Sequence, residues 1–484
     1  MSKELKRVTL VVLLMFSALF VSTSIIQYFQ AGSLAADGRN SRSLYASYDQ
    51  QRGPILVKGQ PVAESVPSTD EYKFQRVYSN GPLYSQITGY FTQGQGSTGI
   101  EQSLGNELAG TSDSQFLTRL NSIFTGKSPQ GASVETTIDP AVQQVAWDAL
   151  GDLQGAVVAI EPATGRILAM VSKPTYDPNL LAVHDGQLML DTYNQLLADP
   201  SNPLINRSIA GNMNPPGSTF KIVTTSAALQ NAGIAATDTM PNLSRFPLAG
   251  SNDTVSNAGG GTCGGGDTVS LQTAFVLSCN IPMAEFGVQM GEKNLTDMAK
   301  AFGFGRELNI PMAVSPSTMD SGMNNARLAL SSFGQWEDRV TPLQVAMFSA
   351  AVANGGQLMT PTLIDSITAP DLTTLRSFNA TEFARPLTAA TSQTLSMFMT
   401  EAVSSGAATN AAISGVSVAG KTGTAENGTG DPYTLWFTGF APTINPEVAV
   451  AVLVENGGGR GQSGTGNSVA APIAKKVIEA VLGK

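Results

Sequence analysis

Histidine is almost missing from this sequence. His184 is the only one in 484 residues, and Cys263 and Cys279 are the only cysteines. A zinc site of three or four nitrogen and sulfur ligands is hard to assemble from so few donors, so no metal centre and no cofactor are expected. Hydrolytic or acyl-transfer chemistry must find a base other than histidine, unless His184 itself serves. Charge is scarce as well: charged side chains make up 13% of the chain, about half the usual ~25%. No basic run exceeds two residues and the formal net charge is −9, which excludes the basic stripe that nucleic acid would need. Long apolar runs are also lacking, with one exception at the N-terminus. What remains is a chain with 42% hydrophobic residues, 49 glycines and 26 prolines. At this length two or three domains and a large core are expected.

Lys3, Lys6 and Arg7 precede the uncharged stretch from Val8 to Ile26. As a helix it would extend about 28 Å, close to the ~30 Å hydrocarbon thickness of a bilayer. Basic residues on its N-terminal side direct the remainder of the chain outward. Residues 1–30 are therefore expected to be a cytoplasmic tail and single transmembrane anchor in the plasma membrane, with everything beyond exoplasmic. A cleaved signal peptide is the alternative, and the small residues Ala31, Ser33, Ala35 and Ala36 suit one, although its apolar core usually spans only about 7–15 residues. On the oxidising side of a membrane a disulfide between Cys263 and Cys279 is permitted. It would contribute roughly 3 kcal/mol in the chain-entropy model, and Cys263 lies in a glycine-rich segment, 259–266, too pliant to hold a position unaided. Two unrelated buried thiols are the other reading, since sequence gives no Cα separation.

Residues 31–135 read as an irregular, strand-rich module without a catalytic constellation. Arg52-Gly53-Pro54-Ile55 is extended or turned, because Pro54 disfavours helix before it. Gly94, Gly96 and Gly99 lead into Ile100-Glu101 and a short helical pattern ending at Gly110. From residue 136 the texture changes. Asp139 followed by Pro140 is an N-cap signature for a helix over 140–152. Two apolar runs, 156–160 and 167–171, flank a Pro/Gly turn and predict a buried hairpin. Runs 436–440 and 448–454 predict two more strands, and an amphipathic helix over 471–482 follows. Helices packed on an antiparallel sheet, an α+β domain over 136–484, fit this order.

Three short patterns carry the chemistry. Ser218-Thr219-Phe220-Lys221 follows Pro215-Pro216-Gly217 and opens a helical run. Ser218 is thus placed at a helix N-terminus, where unpaired N–H groups and the helix dipole favour a developing oxyanion. Lys221, three residues on, shares its face. Serine is also an ordinary N-cap, and such a pair occurs by chance once or twice in a chain of this size at usage of roughly 7% Ser and 6% Lys. Of thirteen lysines here, only Lys221 has serine three positions before it. Ser278-Cys279-Asn280 comes at the end of the helical pattern Leu271–Leu277, where polar capping would alone explain it. Lys421-Thr422-Gly423-Thr424 falls on a predicted strand, and Gly423 leaves room for a ligand backbone along that edge. The ordered set is specific where each member is not.

This set resembles the signature of the penicillin-recognising acyl-serine enzymes. Arg52-Gly53-x-Ile55 and Gly96-x-x-Gly99-Ile100-Glu101 are similar to the pedestal signatures of class B penicillin-binding proteins. Thr137-Ile138-Asp139, Phe333-Gly334-Gln335, Val340-Thr341-Pro342-Leu343-Gln344 and Ala353-Asn354-Gly355-Gly356 resemble parts of the transpeptidase domain of that class. The single anchor and short pedestal look most like its actinobacterial branch. The resemblance implies a penicillin-binding/serine β-lactamase-like domain, an antiparallel sheet flanked by helices, behind a strand-rich dimerisation-type pedestal (31–135) and one transmembrane helix. It implies that Ser218 attacks the penultimate D-Ala of a peptidoglycan stem peptide, with Lys221 as base and Ser278 as proton relay. Asn280 would hold the substrate amide, and Lys421, Thr422 and Thr424 the terminal carboxylate, with Gly423 on the same strand. The partners implied are stem peptides ending in D-Ala-D-Ala, β-lactams as covalent inhibitors, a lipid-linked glycan polymerase, and proteins of division or elongation.

A β-lactamase would need a positioned water for deacylation and no pedestal, and the roughly 105 residues before the transpeptidase are too few for a glycosyltransferase. A DD-carboxypeptidase would share every motif, and a non-catalytic scaffold would have no reason to keep Ser218, Lys221, Ser278 and Lys421. Glu161, Asp139 and Glu455 invite comparison with a carboxylate pair for glycoside cleavage, but their turn and strand-end positions point to structural roles.

Overall fold

The computed structural model describes residues 3–30, 48–92, 95–115, 130–211 and 213–484. The small residues at 31–36 and Gly94 lie outside the described residues. Helix α1, Lys3–Ser24, continues as a turn over Ile25–Phe29, with none of these residues buried, and its most apolar 18-residue stretch has a mean hydropathy of 2.3. It is long and apolar enough to cross a membrane.

The pedestal contributes β1 (Ile55–Val57), β2 (Gln60–Pro67), β3 (Phe74–Tyr78) and β4 (Ser133–Thr136). Helix α2 (Pro140–Leu150) starts where expected, with the Asp139 carboxylate accepting from the N–H groups of Ala141 and Val142. The predicted hairpin is β5 (Gly155–Ile160) and β6 (Ile167–Lys173). There follow α3 (Lys221–Ser226), α4 (Leu271–Val276), α5 (Asn280–Met290) and α6 (Pro342–Ala353). The chain then forms β7 (Ile364–Thr368), β8 (Thr374–Ser377), β9 (Ala419–Ala425), β10 (Thr434–Ala441), β11 (Val448–Val454) and helix α7 (Ala471–Val481).

Two sheets organise these elements. The larger domain holds a five-stranded antiparallel sheet in the order β9-β10-β11-β5-β6. Side chains alternate across it, so Ala449, Ala451 and Leu453 join one buried cluster while Val448, Val450, Val452 and Val454 join another. Helix α6 packs on the first face and α2 with α7 on the second. All residues of α6 from Pro342 to Val352 are buried, which a helix apolar on every side requires. The order leaves β9 as a sheet edge.

The second sheet runs β8-β7-β4-β1-β2-β3, with β1 parallel to β4 and β4 antiparallel to β7. One pedestal strand, β4, therefore pairs with a strand, β7, that lies more than 200 residues later. The 135/136 boundary of the sequence falls inside β4. Under this sheet the two pedestal signatures meet: Arg52 and Arg76 both bond the Glu101 carboxylate, at 2.7 and 2.6 Å, and Tyr78 donates to it at 3.3 Å. Glu101 is fully buried, and Arg52 also lies over the Phe91 ring. Burial opposes the charge of Glu101, but Arg76 and Arg52 outweigh it and hold the carboxyl below its ordinary value.

Candidate active site

The Ser218 turn is built by sterics. Pro215 and Pro216 stop any preceding helix, and Gly217 takes φ +52°, which favours glycine. Residues Gly217–Phe220 form a 3₁₀ turn that feeds α3. The Gly217 N–H donates to the Gly334 carbonyl at 2.9 Å. A Cβ on Gly334 would lie 2.0 Å from the Gly217 oxygen, so the loop carrying Phe333-Gly334-Gln335 seats the Ser218 turn directly. On its other side the turn rests on β9: a Cβ on Gly423 would come 2.9 Å from the Pro216 oxygen and 3.0 Å from Thr219. Gly423 thus makes room for the chain's own Ser218 turn. Trp436 of β10 donates its indole N–H to Pro215 at 2.9 Å from beneath.

Lys221 is fully buried one turn beyond Ser218. Its Nζ donates to the main-chain carbonyl of Ser278 at 2.7 Å and to Oδ1 of Asn280 at 2.9 Å. Lys421, only 1% exposed, donates to the Ser278 hydroxyl at 2.6 Å and to the Thr422 carbonyl at 3.2 Å. Burial pushes the Lys221 amine well below its ordinary value, and the neighbouring Lys421 pushes it further. Burial also lowers Lys421, to about 7. Two buried amines four-square around one serine cannot both hold a proton cheaply, and Lys221 is the one disfavoured.

Ser278-Cys279-Asn280 spans the break between two helices. Helix α4 ends at Val276, Ser278 takes φ +60°, and Asn280 begins α5. A left-handed non-glycine residue costs roughly 1–2 kcal/mol, and here it turns the Ser278 hydroxyl and carbonyl toward different lysines. Cys263 and Cys279 are joined as a disulfide with Cα atoms 5.9 Å apart, which ties the glycine-rich loop to this corner.

Two asparagines complete the corner, and sequence reasoning missed both. The Asn257 side-chain oxygen accepts from the N–H groups of Asn280 (2.9 Å) and Ile281 (3.0 Å), capping α5 from 23 residues away, while its amide donates to the Gly261 carbonyl. Asn242 accepts from the Cys263 N–H at 2.7 Å and donates to the carbonyls of Cys263, Gly265 and Gly266. The only sequence signal was a glycine run just after Asn257 and a proline just before Asn242, neighbours that many plain turns share.

A cleft of about 580 Å³ opens over these groups. Ser218, Ser278, Asn280, Thr422 and Thr424 all line it, as does Asn257. The Thr422 hydroxyl donates to the Ala407 carbonyl, and that of Thr424 accepts from the Gly466 N–H, each at 3.2 Å. The residues of the three motifs thus gather at one place, either lining the cleft or buried beneath it. The arrangement offers a hydroxyl at a helix N-terminus, a discharged amine beside it, a second hydroxyl on a cationic relay, and a free strand edge.

The other candidates lie elsewhere. The His184 ring packs between Tyr48 and Tyr72 and its Nδ1 is 2.5 Å from Asp70, so the sole histidine takes no part in the cleft. Asp139 caps α2 and pairs with Lys58. Glu455 accepts from Arg207, Gln154 and Asn214, and Glu161 from the Thr164 hydroxyl.

Comparison with known proteins agrees with this geometry. A family profile described as the penicillin binding protein transpeptidase domain matches residues 155–479, and one described as the penicillin binding protein A dimerisation domain matches residues 52–134. The chain is 43% identical to the peptidoglycan D,D-transpeptidase PbpA of Mycolicibacterium smegmatis, covering 100% of this chain and 99% of that protein. It resembles the ceftriaxone acyl-enzyme complex of penicillin-binding protein A from M. tuberculosis with a TM-score of 0.87 at 41% identity, over 90% of this chain and 100% of the other. The penicillin G acyl-enzyme complex of the same protein gives a TM-score of 0.85, over the same shares.

Proposed function

The chain belongs to the class B penicillin-binding proteins, and from that premise we propose that it is a peptidoglycan D,D-transpeptidase that cross-links stem peptides through an acyl-Ser218 intermediate. The observation that carries the reading is the bonding of Lys221. A neutral amine has two N–H bonds and one lone pair. Ser278 and Asn280 take the two N–H bonds, which leaves the lone pair for the Ser218 hydroxyl one turn away.

In the first half-reaction the Ser218 oxygen attacks the carbonyl of the penultimate D-Ala as its proton passes to Lys221. The oxyanion is met by the N–H groups of Ser218 and Thr424. Breaking the peptide bond leaves a nitrogen that takes a proton from the Ser278 hydroxyl, and the proton held by Lys221 restores the hydroxyl. Lys421 keeps that hydroxyl oriented and, with Thr422 and Thr424, binds the terminal carboxylate, which a β-lactam also carries. Asn280 holds the substrate amide. In the second half-reaction a primary amine of another stem peptide attacks the ester, gives up its proton by the same route, and returns Ser218 to its hydroxyl form.

We further propose that α1 anchors the protein in the plasma membrane with its N-terminus cytoplasmic. Lys3, Lys6 and Arg7 support this orientation. Exoplasmic cross-linking calls for nascent glycan strands, so a lipid-linked glycan polymerase working in division or elongation is the fitting partner.

The test uses the full-length chain in detergent with a fluorescent penicillin. A covalent adduct at Ser218 is expected by gel and mass spectrometry, with none on Ser218→Ala and at least a hundredfold slower labelling of Lys221→Ala. No adduct on the parent, or an undiminished one on Ser218→Ala, sinks the assignment. Supplying a peptide donor with and without an amine acceptor then separates cross-linking from plain hydrolysis.

A further inference from the structure

Glu426 is the one charged side chain among the described residues that line the cleft. It continues a row. Thr422, Thr424 and Glu426 occupy alternate positions and all face the same space, as side chains on one face of a strand do. Its place is fixed by the chain on both sides. Ala425 pairs with Thr434 in the last rung of β9 and β10. The Asn427 amide donates to the Pro432 carbonyl at 2.7 Å and to the Thr434 hydroxyl at 3.0 Å, closing the neck of the following loop. The Glu426 carboxylate is exposed and has no ion pair or hydrogen bond among the described residues. Tyr433 lines the cleft beside it, and its phenol is raised above the ordinary value by burial and by the negative charge of Glu426.

The row is therefore bipolar. At one end Thr422 and Thr424 line the cleft beside Lys421, whose Nζ bonds the Thr422 carbonyl and the Ser278 hydroxyl, and their hydroxyls suit an anion. Two residues further, roughly 7 Å along the strand, stands an unpaired carboxylate next to an aromatic ring. A carboxylate and a ring face together are the chemistry that holds an ammonium group.

We propose that Glu426, with Tyr433, forms an ammonium subsite, which selects stem peptides carrying a primary amine near the residue bound along β9. The inference rests on the transpeptidase reading of the cleft and names part of its substrate. The amine has two sources, the side chain of the donor stem or the attacking group of the acceptor, and both present the same ammonium.

Three penicillins of nearly equal size separate the arms, with a phenylacetyl side chain bearing hydrogen, an α-ammonium or an α-carboxylate. Their second-order acylation constants are measured on the full-length chain in detergent, for the parent, Glu426→Gln, Glu426→Lys and Asp431→Asn. Asp431 is a nearby carboxylate that does not line the cleft. If the donor supplies the amine, the cation-to-anion ratio of the parent falls about tenfold in Glu426→Gln and inverts in Glu426→Lys. That shift shrinks as ionic strength rises, and Asp431→Asn moves the ratio less than twofold. If the acceptor supplies it, those ratios hold still. The partition of a thioester donor between aminolysis by a diamine and hydrolysis then drops about fivefold in Glu426→Gln, through a higher KM for the amine. Ratios and partition both unchanged overturn the subsite. A parent that no penicillin acylates overturns the transpeptidase reading itself, a result distinct from the others.

Discussion

The ammonium of Lys421 lies 2.6 Å from the hydroxyl oxygen of Ser278. The carbonyl of that same serine takes a bond from Lys221. Among the described residues Ser278 is thus the one that hydrogen-bonds both buried amines, and it does so with two different groups. Its left-handed backbone makes this possible, because an extended or helical residue there would aim hydroxyl and carbonyl differently. Proton traffic between attack and departure has one junction.

Activity and stability should respond to pH in opposite directions. Burial brings Lys421 down to about 7 in the folded protein from an ordinary value of 10.5. Above pH 7 the free enzyme loses the cation that pairs with a carboxylate, so the second-order constant for acylation by an anionic penicillin falls, approaching tenfold per pH unit. Between pH 7 and 10.5 the unfolded chain binds more protons than the folded one, so stability rises with pH through that window. Lys221, lowered by burial and by the neighbouring Lys421, adds in the same direction. Stopped-flow acylation and thermal melts of one sample from pH 6.5 to 9 check both signs.

Asn257 bears on Asn280 through the backbone. Replacing Asn257 by alanine removes the acceptor for two N–H groups at the start of α5, at a cost of about 1–2 kcal/mol. The Asn280 side chain is then less well aimed at Lys221. The expected signature is a lower acylation rate constant with little change in the preceding binding constant. Asn257→Asp keeps the acceptor oxygen and should restore most of the rate. Denaturant midpoints and single-turnover kinetics on the three proteins decide it.

Glu101 is a purely architectural carboxylate. Glu101→Ala leaves Arg52 and Arg76 buried without their counter-charge, and should cost about 3–5 kcal/mol. Penicillin labelling per folded molecule should stay near that of the parent, since none of the three residues lines the cleft. Thermal melts with labelling stoichiometry measure the two effects separately.

Local chemistry in the sequence carried much of this. The Asp139-Pro140 cap, the β-branched runs of the hairpin and of β11, and the three motifs each act over a few residues. Their spacing survives any arrangement of the remainder. What could not be read depends on distant partners. Nothing around Ile364 says that it will pair with Thr136, because register between remote strands is set by the whole core and not by local periodicity. Nothing in the residues around Arg76 points to Glu101, 25 positions away, as its partner. Asn257 and Asn242 have turn-like neighbours, and their role exists only once the disulfide and α5 are in place. Ser278 was expected at a helix end, where it is, but its backbone angle depends on the two lysines' elements arriving from 57 and 143 residues away.

The sheet that β4 shares with β7 has a consequence for any attempt to study the catalytic half alone. A chain cut between 135 and 136 loses most of β4 and bares the backbone of Ile364–Thr368, until then paired on that side. Its unpaired N–H and C=O groups are a template for the same strand of another molecule. Such a fragment would keep all its acylation residues and still tend to clump, failing through stickiness and not through chemistry.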